Sequence, residues 1–176
     1  QHLEPLGNSA AMKLLRNNAK QAAQNASPVM ITGESGSGRE TVARYIYQLS
    51  NASGEMVMLD HSQASGENAC SYLFGSVMNS QATEGLLDQA AGGVLFIPKL
   101  HKLPIATLEM LSNVIESKGY TPQGGTGLKP LSCRIICSAA ENLERLVKEG
   151  KVPGPLYFHL NVLPLKVPSL RDRPED

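Results

Sequence analysis

A glycine-rich loop between a short apolar segment and a helix limits what this chain can fold into. The stretch GESGSGRE, residues 33–40, follows PVMIT and runs into GRETVARYIYQL, which has apolar residues at helical spacing. In the order strand, loop, helix, such glycines let successive backbone N–H groups and a helix N-terminus point at one anion, usually a phosphate. We therefore predict a phosphate-binding loop whose backbone geometry is supplied by Gly33, Gly36 and Gly38.

The rest of the chain alternates between short apolar segments and segments with helical spacing. Ser9 is suited to cap a first, alanine-rich helix, Pro104 suits the first turn of a later helix, and Gly150 ends another. Such alternation is typical of a parallel sheet covered by helices on both faces, which binds ligands at the carboxyl ends of its strands. Strands are predicted at PVMIT, EMVML, GGVLFI, CRIICSA and NVLPLKV. The prediction is an α/β fold with the glycine loop at the carboxyl edge of the sheet.

Length and charge restrict the class of protein. A chain of 176 residues with 41% hydrophobic side chains suits one domain. Sixteen Lys plus Arg balance sixteen Asp plus Glu, so the chain has no net field that would draw it to nucleic acid or anionic lipid. Its apolar runs fall well short of the ~18 residues that span a bilayer, and no basic and apolar leader opens it. These observations predict a cytoplasmic protein without membrane contact.

The cysteines argue against a disulfide framework and against a zinc site. Cys70, Cys133 and Cys137 are an odd set without a C-x-x-C motif. If CRIIC is a strand, Cys133 and Cys137 share a face but stand about 13 Å apart, too far to bridge. We expect buried free thiols.

Several motifs match one family in order along the chain. GESGSGRE agrees with the family sequence GESGTGKE at six of eight positions. LGNSAAM, YLFG and AAGGVLFI follow, and the closing LNVLPLKVPSLRDRPED at residues 160–176 is close to LNVxPLxxPPLRxRxED. The chain thus resembles the central AAA+ domain of the bacterial enhancer-binding proteins, the NtrC-like, sigma-54-dependent transcription activators, as a degenerate member. The resemblance implies a P-loop NTPase (AAA+) fold, a three-layer sandwich around a central parallel sheet.

The resemblance also implies that the chain is a fragment. Residues 1–176 would form the AAA+ α/β subdomain of a longer regulator, and the family's helical lid would begin where the chain stops, so the lid is expected to be missing from it. A regulatory N-terminal domain and a C-terminal helix-turn-helix are expected outside the chain.

The family's metal and water positions are occupied here by unsuited residues. Its Walker B strand ends GGTLFLDE, in which Asp holds magnesium and Glu prepares the attacking water, whereas GGVLFIPK places Pro98 and Lys99 there. The resemblance places Asp60 at the Asn that gates this Glu, and Ala140 at the Asn of the sensor. The chain is therefore expected to lack both catalytic residues and a magnesium site.

Two further functional parts of the family are absent. Its two arginine fingers would fall at Pro153 and His159 in VPGPLYFHLN. Its GAFTGA loop, which contacts sigma-54, would lie between LFG and the segment GLLDQAAGG, but the short SVMNSQATE occupies that place. These losses predict a domain that neither hydrolyses ATP nor contacts sigma-54.

The expected binding site is the glycine loop and the start of its helix. Arg39 replaces the lysine that grips the terminal phosphates, and arginine is larger, planar and forked. The ligands considered are ATP or ADP, bound without hydrolysis, and cyclic di-GMP, which some members of the family bind through an arginine at the position of Arg44. The preceding L-F-R-S segment of those members is absent, since QHLEP occupies its place. The candidate residues are Gly33, Glu34, Ser35, Gly36, Ser37, Gly38, Arg39, Glu40 and Arg44.

The predicted function is that of a regulatory and assembly module in a bacterial transcription regulator. The expected partners are further copies of the full-length protein, the RNA polymerase holoenzyme, and promoter DNA through a domain outside this chain. Some relatives lacking these motifs control biofilm genes in this way. One alternative is a slow ATPase in which Arg39 grips phosphate and Asp60 or Glu34 collects magnesium. A second alternative is a structural spacer with an empty loop.

Overall fold

The structure, a computed structural model, describes Gly7, residues 9–34, Gly36, residues 38–140 and residues 142–169. Its centre is a sheet of five strands in which every neighbouring pair is parallel. The strands are β1 (Val29–Thr32), β2 (Met56–Met58), β5 (Val94–Ile97), β8 (Arg134–Ala139) and β9 (Leu163–Lys166), in the spatial order β2-β5-β8-β1-β9. The predicted strands are confirmed.

Two short antiparallel pairs lie outside the central sheet. The first pairs β3 (Ser76–Met78) with β4 (Gln81–Thr83), and the second pairs β6 (Gly119–Tyr120) with β7 (Lys129–Pro130). The sequence analysis predicted neither pair, because segments of two or three residues are too short to show a period of two.

Helices cover both faces of the sheet. They are α1 (Ala10–Ala23), α2 (Arg39–Leu49), α3 (Asn68–Phe74), α4 (Leu86–Gln89), α5 (Ile105–Ser117), α6 (Leu143–Lys148) and α7 (Gly154–Leu160), with a 3₁₀ turn at Leu100–Lys102. Ser9 caps α1 as predicted, its hydroxyl accepting from the Met12 N–H at 3.2 Å. Pro104 stands at the N-cap of α5, one position before the expected first turn. Within the described residues, no helix is long and apolar enough to cross a bilayer.

Side-chain alternation along the strands produces two cores. Val29 and Ile31 of β1 pack with α1 and α2 on one face, while Met30 points to the core under α3 to α7. Along β8, Ile136 joins the first core, and Ile135 and Cys137 join the second. Helices on both faces of a parallel sheet make the three-layer α/β sandwich that the sequence predicts.

The cysteines are free thiols, as expected, but the expectation that all three are buried is wrong for Cys70. Cys133 and Cys137 are buried in the same core, and Cys70 is partly exposed. Burial raises the pKa of Cys133 to about 12, so this thiol is protonated at neutral pH.

Candidate functional site

The glycine loop leaves β1 at the carboxyl edge of the sheet. The N–H of Gly33 donates to Ala139 O at 3.2 Å, which fixes the beginning of the loop against β8. Gly36 and Gly38 have φ of +79° and +99°, and a Cβ added to either would meet nothing within 4 Å. Glycine is therefore favoured at these two positions by the left-handed backbone rather than by crowding.

The loop ends at the N-terminus of α2. Gly38 is the N-cap, and the first hydrogen bond of the helix runs from Val42 N–H to Gly38 O at 3.1 Å. The first N–H groups of a helix have no acceptor within it, and glycine has no side chain that could cap them. These groups and the positive end of the helix dipole suit an anion.

A cavity of about 250 Å³ lies between the loop and the ends of β5 and β8. It brings together residues that are far apart in sequence. Its walls are formed by Gly36, Gly38, Arg39, Glu40, Phe96, Pro98, Lys99 and Ser138.

Arg39 is half-buried in this cavity, and its Nη1 is buried without a hydrogen-bond partner in the described part of the chain. Desolvation by burial lowers its pKa, although a guanidinium stays charged at any ordinary pH. A buried donor without an acceptor costs about 1–3 kcal/mol, and more when it is charged. An oxyanion in the cavity would remove this cost, so the geometry fits a phosphate group.

The end of β5 adds a second cation to the site. Lys99 is exposed, lines the cavity, and has a left-handed φ of +48°. The preceding Pro98 has its carbonyl engaged by His61 Nε2 at 2.5 Å. The strand end therefore offers an ammonium group to the cavity and no carboxylate.

Glu40 and Arg44 form an exposed ion pair one turn apart on α2. Arg44 Nε lies 3.0 Å from Glu40 Oε2, and the two side chains are 41% and 50% exposed. Glu40 lines the cavity, whereas Arg44 is not among the described residues of its wall. Glu34 is exposed, while Ser35 and Ser37 lie outside the described residues. The role predicted for Arg44 in ligand binding stays a prediction.

The carboxylate of Asp60 accepts hydrogen bonds from the residues that follow it in the chain. Its Oδ1 accepts from the N–H and the hydroxyl of Ser62 at 2.9 and 2.8 Å, and its Oδ2 accepts from Gln63 at 3.4 Å. The hydrogen bonds from Ser62 lower the pKa of this carboxyl. Asp60 is not among the described residues that line the cavity. To bind magnesium, its carboxylate would also have to give up these hydrogen bonds.

The cavity combines two cations and one carboxylate with a helix N-terminus. Arg39, Lys99 and the helix N-terminus favour negative charge, whereas Glu40, which also lines the cavity, does not. Magnesium prefers carboxylate and phosphate oxygens. In the part of the chain that the structure describes, no group of three His, Cys, Asp or Glu lies close enough together to hold a metal. The expectation that the protein has no magnesium site stays a prediction.

β3 and β4 form a hairpin in the segment where the resemblance predicted the family's sigma-54 contact loop to lie. Asn79 and Ser80 form its two-residue turn with φ of 52° and 66°, and Met78 is 71% exposed. Val77 N–H donates to Gln123 O at 2.7 Å, which ties the hairpin to the following loop. The sequence analysis identified the shortened segment but not this hairpin.

The resemblance assigned three further functional positions of the family to Ala140, Pro153 and His159. Ala140 is half-buried directly after β8. Pro153 is the N-cap of α7, and His159 lies within α7 with its Nε2 3.8 Å from Glu116 Oε2. Neither Pro153 nor His159 provides an arginine at the positions that the resemblance assigned to the arginine fingers.

Two wall residues of the cavity were missed by the sequence analysis. Ser138 is opposite Ile31 in the register of β8 with β1, and Phe96 is opposite Ile136 in the register of β5 with β8. Both lie in predicted strands, but only the strand order brings them to the loop.

Comparison with known proteins assigns the family. The family described as Sigma-54 interaction domain matches residues 6–166. The response regulator protein PilR of Pseudomonas aeruginosa is 35% identical over 177 residues, covering 97% of this chain and 40% of PilR. The DNA-binding transcriptional regulator NtrC of Rhizobium meliloti is 32% identical, covering 97% of this chain and 37% of NtrC. The chain thus spans less than half the length of these two relatives.

Solved structures agree with the sequence matches. The crystal structure of NtrX from Brucella abortus superposes with a TM-score of 0.87 at 35% identity, over 97% of this chain and 40% of NtrX. NtrX has also been crystallised with ATP and with ADP, and those structures match with TM-scores of 0.87 and 0.88. The motifs, the strand order and these matches show that the chain belongs to the sigma-54 interaction domains, the AAA+ modules of the bacterial enhancer-binding proteins.

Proposed function

We propose that this domain holds ATP or ADP at its glycine loop without hydrolysing it, as the regulatory module of a transcription regulator. The observation that carries the proposal is the unpartnered, buried Nη1 of Arg39 in a cavity that Lys99 also lines. Two cations beside a helix N-terminus suit the phosphates of a nucleotide. The complexes of NtrX with ATP and ADP support a nucleotide as the source of those phosphates.

The proposed lack of hydrolysis rests on the two residues that follow β5, Pro98 and Lys99, which line the cavity with the loop. Phosphoryl transfer needs a positioned metal ion and an oriented water as well as a held phosphate. The side chain of Pro98 has no group that could bind either, its carbonyl is engaged by His61, and Lys99 would repel a divalent cation. A bound nucleotide would then change the stability and the contacts of the domain rather than be consumed.

The partners of the full-length protein are part of the same proposal. The hairpin of β3 and β4 turns within two residues, which supports a domain without a sigma-54 contact loop. We infer that the protein works with another RNA polymerase holoenzyme or represses by occupancy. Self-association, promoter binding through a domain outside this chain and a cytoplasmic location belong to this proposal.

The two other ligand hypotheses are outcomes of the same test. Cyclic di-GMP would engage Arg44, but this residue is paired with Glu40 on the exposed side of α2. A slow ATPase would need Asp60 or Glu34 to hold magnesium, and the oxygens of Asp60 are taken by Ser62 and Gln63. Neither hypothesis is favoured by a contact within the described residues.

Calorimetric titration tests the proposal. ATP, ADP and cyclic di-GMP are each titrated into the domain with magnesium and then with a chelator, and phosphate release is followed in parallel. We expect ATP and ADP to bind with affinities that differ less than tenfold between the two conditions, and no phosphate release. A rise of tenfold or more with magnesium, about 1.4 kcal/mol, contradicts the proposal.

Two arginine variants make the test specific. Arg39→Met should weaken nucleotide binding at least tenfold, because it removes the guanidinium from the cavity. Arg44→Met is the matched control on the same helix and should leave ATP affinity unchanged. If Arg44→Met alone weakens binding, and cyclic di-GMP binds more tightly than ATP, the cyclic di-GMP hypothesis replaces this one.

A further inference from the structure

A second and larger cavity lies at the opposite edge of the sheet from the glycine loop. Its volume is about 670 Å³, and it is formed where β1, β5 and β8 begin and where α1 and α5 end. The proposed nucleotide site lies at the other edge and does not account for this cavity, although the motif AAGGVLFI contributes Gly92, Gly93 and Val94 to its wall.

Arg134, the first residue of β8, is built into the wall of this cavity. The residue is only 9% exposed. Its Nε donates to Ser27 O at 3.0 Å, which fixes the plane of the guanidinium against the loop before β1. Nη1 and Nη2 are both buried, and neither has a hydrogen-bond partner among the residues that the structure describes.

Such an arrangement is costly unless something else pairs with it. A buried charge that lacks a partner destabilises a protein by several kcal/mol, and an apolar residue in its place is often better tolerated. The folded chain nevertheless holds one edge of this guanidinium with a single carbonyl and leaves four N–H bonds on the two Nη atoms unused.

The charges around the cavity point to the same kind of partner. Lys118 contributes a second cation, and among the described residues of the wall there is no Asp or Glu. Ser27, Ser50 and Ser132 add polar groups. The C-terminal end of α1 lends a partial negative charge to this region, which reduces the cost of Arg134 but provides no acceptor for either Nη atom.

We propose that this cavity is a second binding site, in which Arg134 holds a compact oxyanion, the carboxylate or phosphate group of a small molecule. A planar guanidinium with two unpaired Nη atoms matches the two oxygens of a carboxylate or of a phosphate, and on this proposal the covered Nη atoms turn toward the cavity when the anion binds. Lys118, which is exposed and lines the cavity, adds a second positive charge. Because this site and the glycine loop are at opposite edges of the sheet, the proposal does not depend on nucleotide binding.

The test uses Arg39→Met to weaken anion binding at the glycine loop, so that a remaining response reports on the second cavity. Inorganic phosphate and succinate are titrated separately into the chain carrying Arg39→Met, with chloride keeping the ionic strength constant. The readouts are the Nε–H resonance of Arg134 in ¹⁵N NMR, assigned by its loss in a second variant, Arg134→Met, and the melting temperature. We expect a saturable shift of this resonance and a rise in melting temperature with at least one of the two anions.

Three further variants test whether Arg134 is responsible. Arg134→Met should lower the affinity for the anion at least tenfold, as judged by calorimetry, while its melting temperature without anion is unchanged or higher. Arg145→Met, which removes an exposed arginine of α6, should leave the affinity unchanged. Ala26→Asp, which puts a carboxylate on the cavity wall next to Ser27, should raise the melting temperature without anion and abolish the response to anion.

The outcomes are decisive in either direction. Saturation with phosphate alone, with succinate alone or with both supports the site and identifies the chemical source of the oxyanion. A resonance that moves no more with either anion than with chloride overturns the proposal. The same conclusion follows if Arg134→Met binds the anion as tightly as its parent, and the NMR titration stands even if this variant does not fold.

Discussion

At the scale of single residues, two arginines present the same physical problem at opposite edges of one sheet. With respect to the described residues, Arg39 has one buried nitrogen without a hydrogen-bond partner, and Arg134 has two. Arginine keeps its charge where a lysine in the same place could lose its proton, so burial does not relieve either residue. Both residues are therefore places where an anion would stabilise the folded chain.

Arg39→Lys should restore the residue that the family has in its loop without creating an ATPase. The single ammonium would grip phosphate, but Pro98 and Lys99 at the end of β5 would still provide no metal ligand and no base. We expect phosphate release by this variant to stay at the level of a blank without protein. Turnover like that of an active family member would show that the end of β5 does not prevent catalysis.

Asp88, in α4, connects its helix to β6 and β7 through hydrogen bonds of its carboxylate. Its Oδ2 accepts from Gly85 N–H at 2.8 Å, and its Oδ1 accepts from Tyr120 at 2.5 Å and from Lys129 at 3.2 Å. Burial alone would raise the pKa of Asp88, but these hydrogen bonds outweigh it and hold the pKa below its ordinary value of 3.8. Asp88 thus stabilises the fold in its ionised form.

Asp88→Asn should lower the free energy of unfolding by about 1–3 kcal/mol at pH 7, because it removes a charged acceptor of three hydrogen bonds. A pKa that is lower in the folded state gives stability that is present above the unfolded pKa and is lost as the pH falls through the folded pKa. The difference between parent and variant should therefore shrink below about pH 4. Urea unfolding at a series of pH values measures this.

Glu109→Gln, at an exposed position of α5, is the control and should change stability little at any pH. A difference between Asp88→Asn and its parent that is constant from pH 7 down to pH 3 would contradict the role given to the carboxylate.

At the scale of elements, the hairpin of β3 and β4 shows how a shortened segment is closed. Its strands are joined by Asn79 and Ser80, both with positive φ, as a two-residue turn of this hand requires. Asn tolerates this conformation better than most residues, whereas Ser does so at some cost. The backbone of Gln123 accepts from Val77 and donates to Gly75 O at 2.9 Å, so the hairpin is attached to the molecule on one side.

Ser80→Gly should stabilise the hairpin, because it creates the Asn-Gly pair that this turn favours. We expect the free energy of unfolding to rise by about 0.5–1 kcal/mol in urea. Gln81→Gly, one residue later in the exposed strand β4, is the matched control and should lower it by a similar amount. If Ser80→Gly is destabilising, the turn has a different conformation from the one described.

At the scale of the whole molecule, the sheet places two different cavities at its two edges. The carboxyl edge carries the loop, Arg39 and Lys99, and the amino edge carries Arg134 and Lys118. The formal net charge of the chain is zero, so these cations are local features rather than parts of a general basic surface. The domain is suited to bind anions at defined places rather than along a face.

The full-length protein should act without sigma-54. Its hairpin turns within two residues at the place where the family contacts this factor, so transcription at its promoters should survive deletion of sigma-54. The measurement is reporter activity in a sigma-54 deletion strain, compared with a strain that lacks the regulator itself. Strict dependence on sigma-54 would contradict the prediction and would show that the protein acts like the sigma-54-dependent activators of its family.

The amino-acid sequence by itself determined the class of fold and the position of the loop. Hydrophobic periodicity and glycine placement are local properties, so the strands at PVMIT and CRIICSA, the cap at Ser9 and the glycines Gly36 and Gly38 could all be predicted from short windows. The motifs then identified the family, because they recur in a fixed order along the chain.

The tertiary structure alone decided which distant residues meet. The order β2-β5-β8-β1-β9 brings Lys99 and Ser138 to the loop, and no local pattern specifies which strands are neighbours. Arg134 is the first residue of a strand that the sequence predicts, yet the lack of described partners for its two Nη atoms depends on the elements packed around it. Pairing and burial are properties of the assembled molecule, which is why both cavities became visible only in the fold.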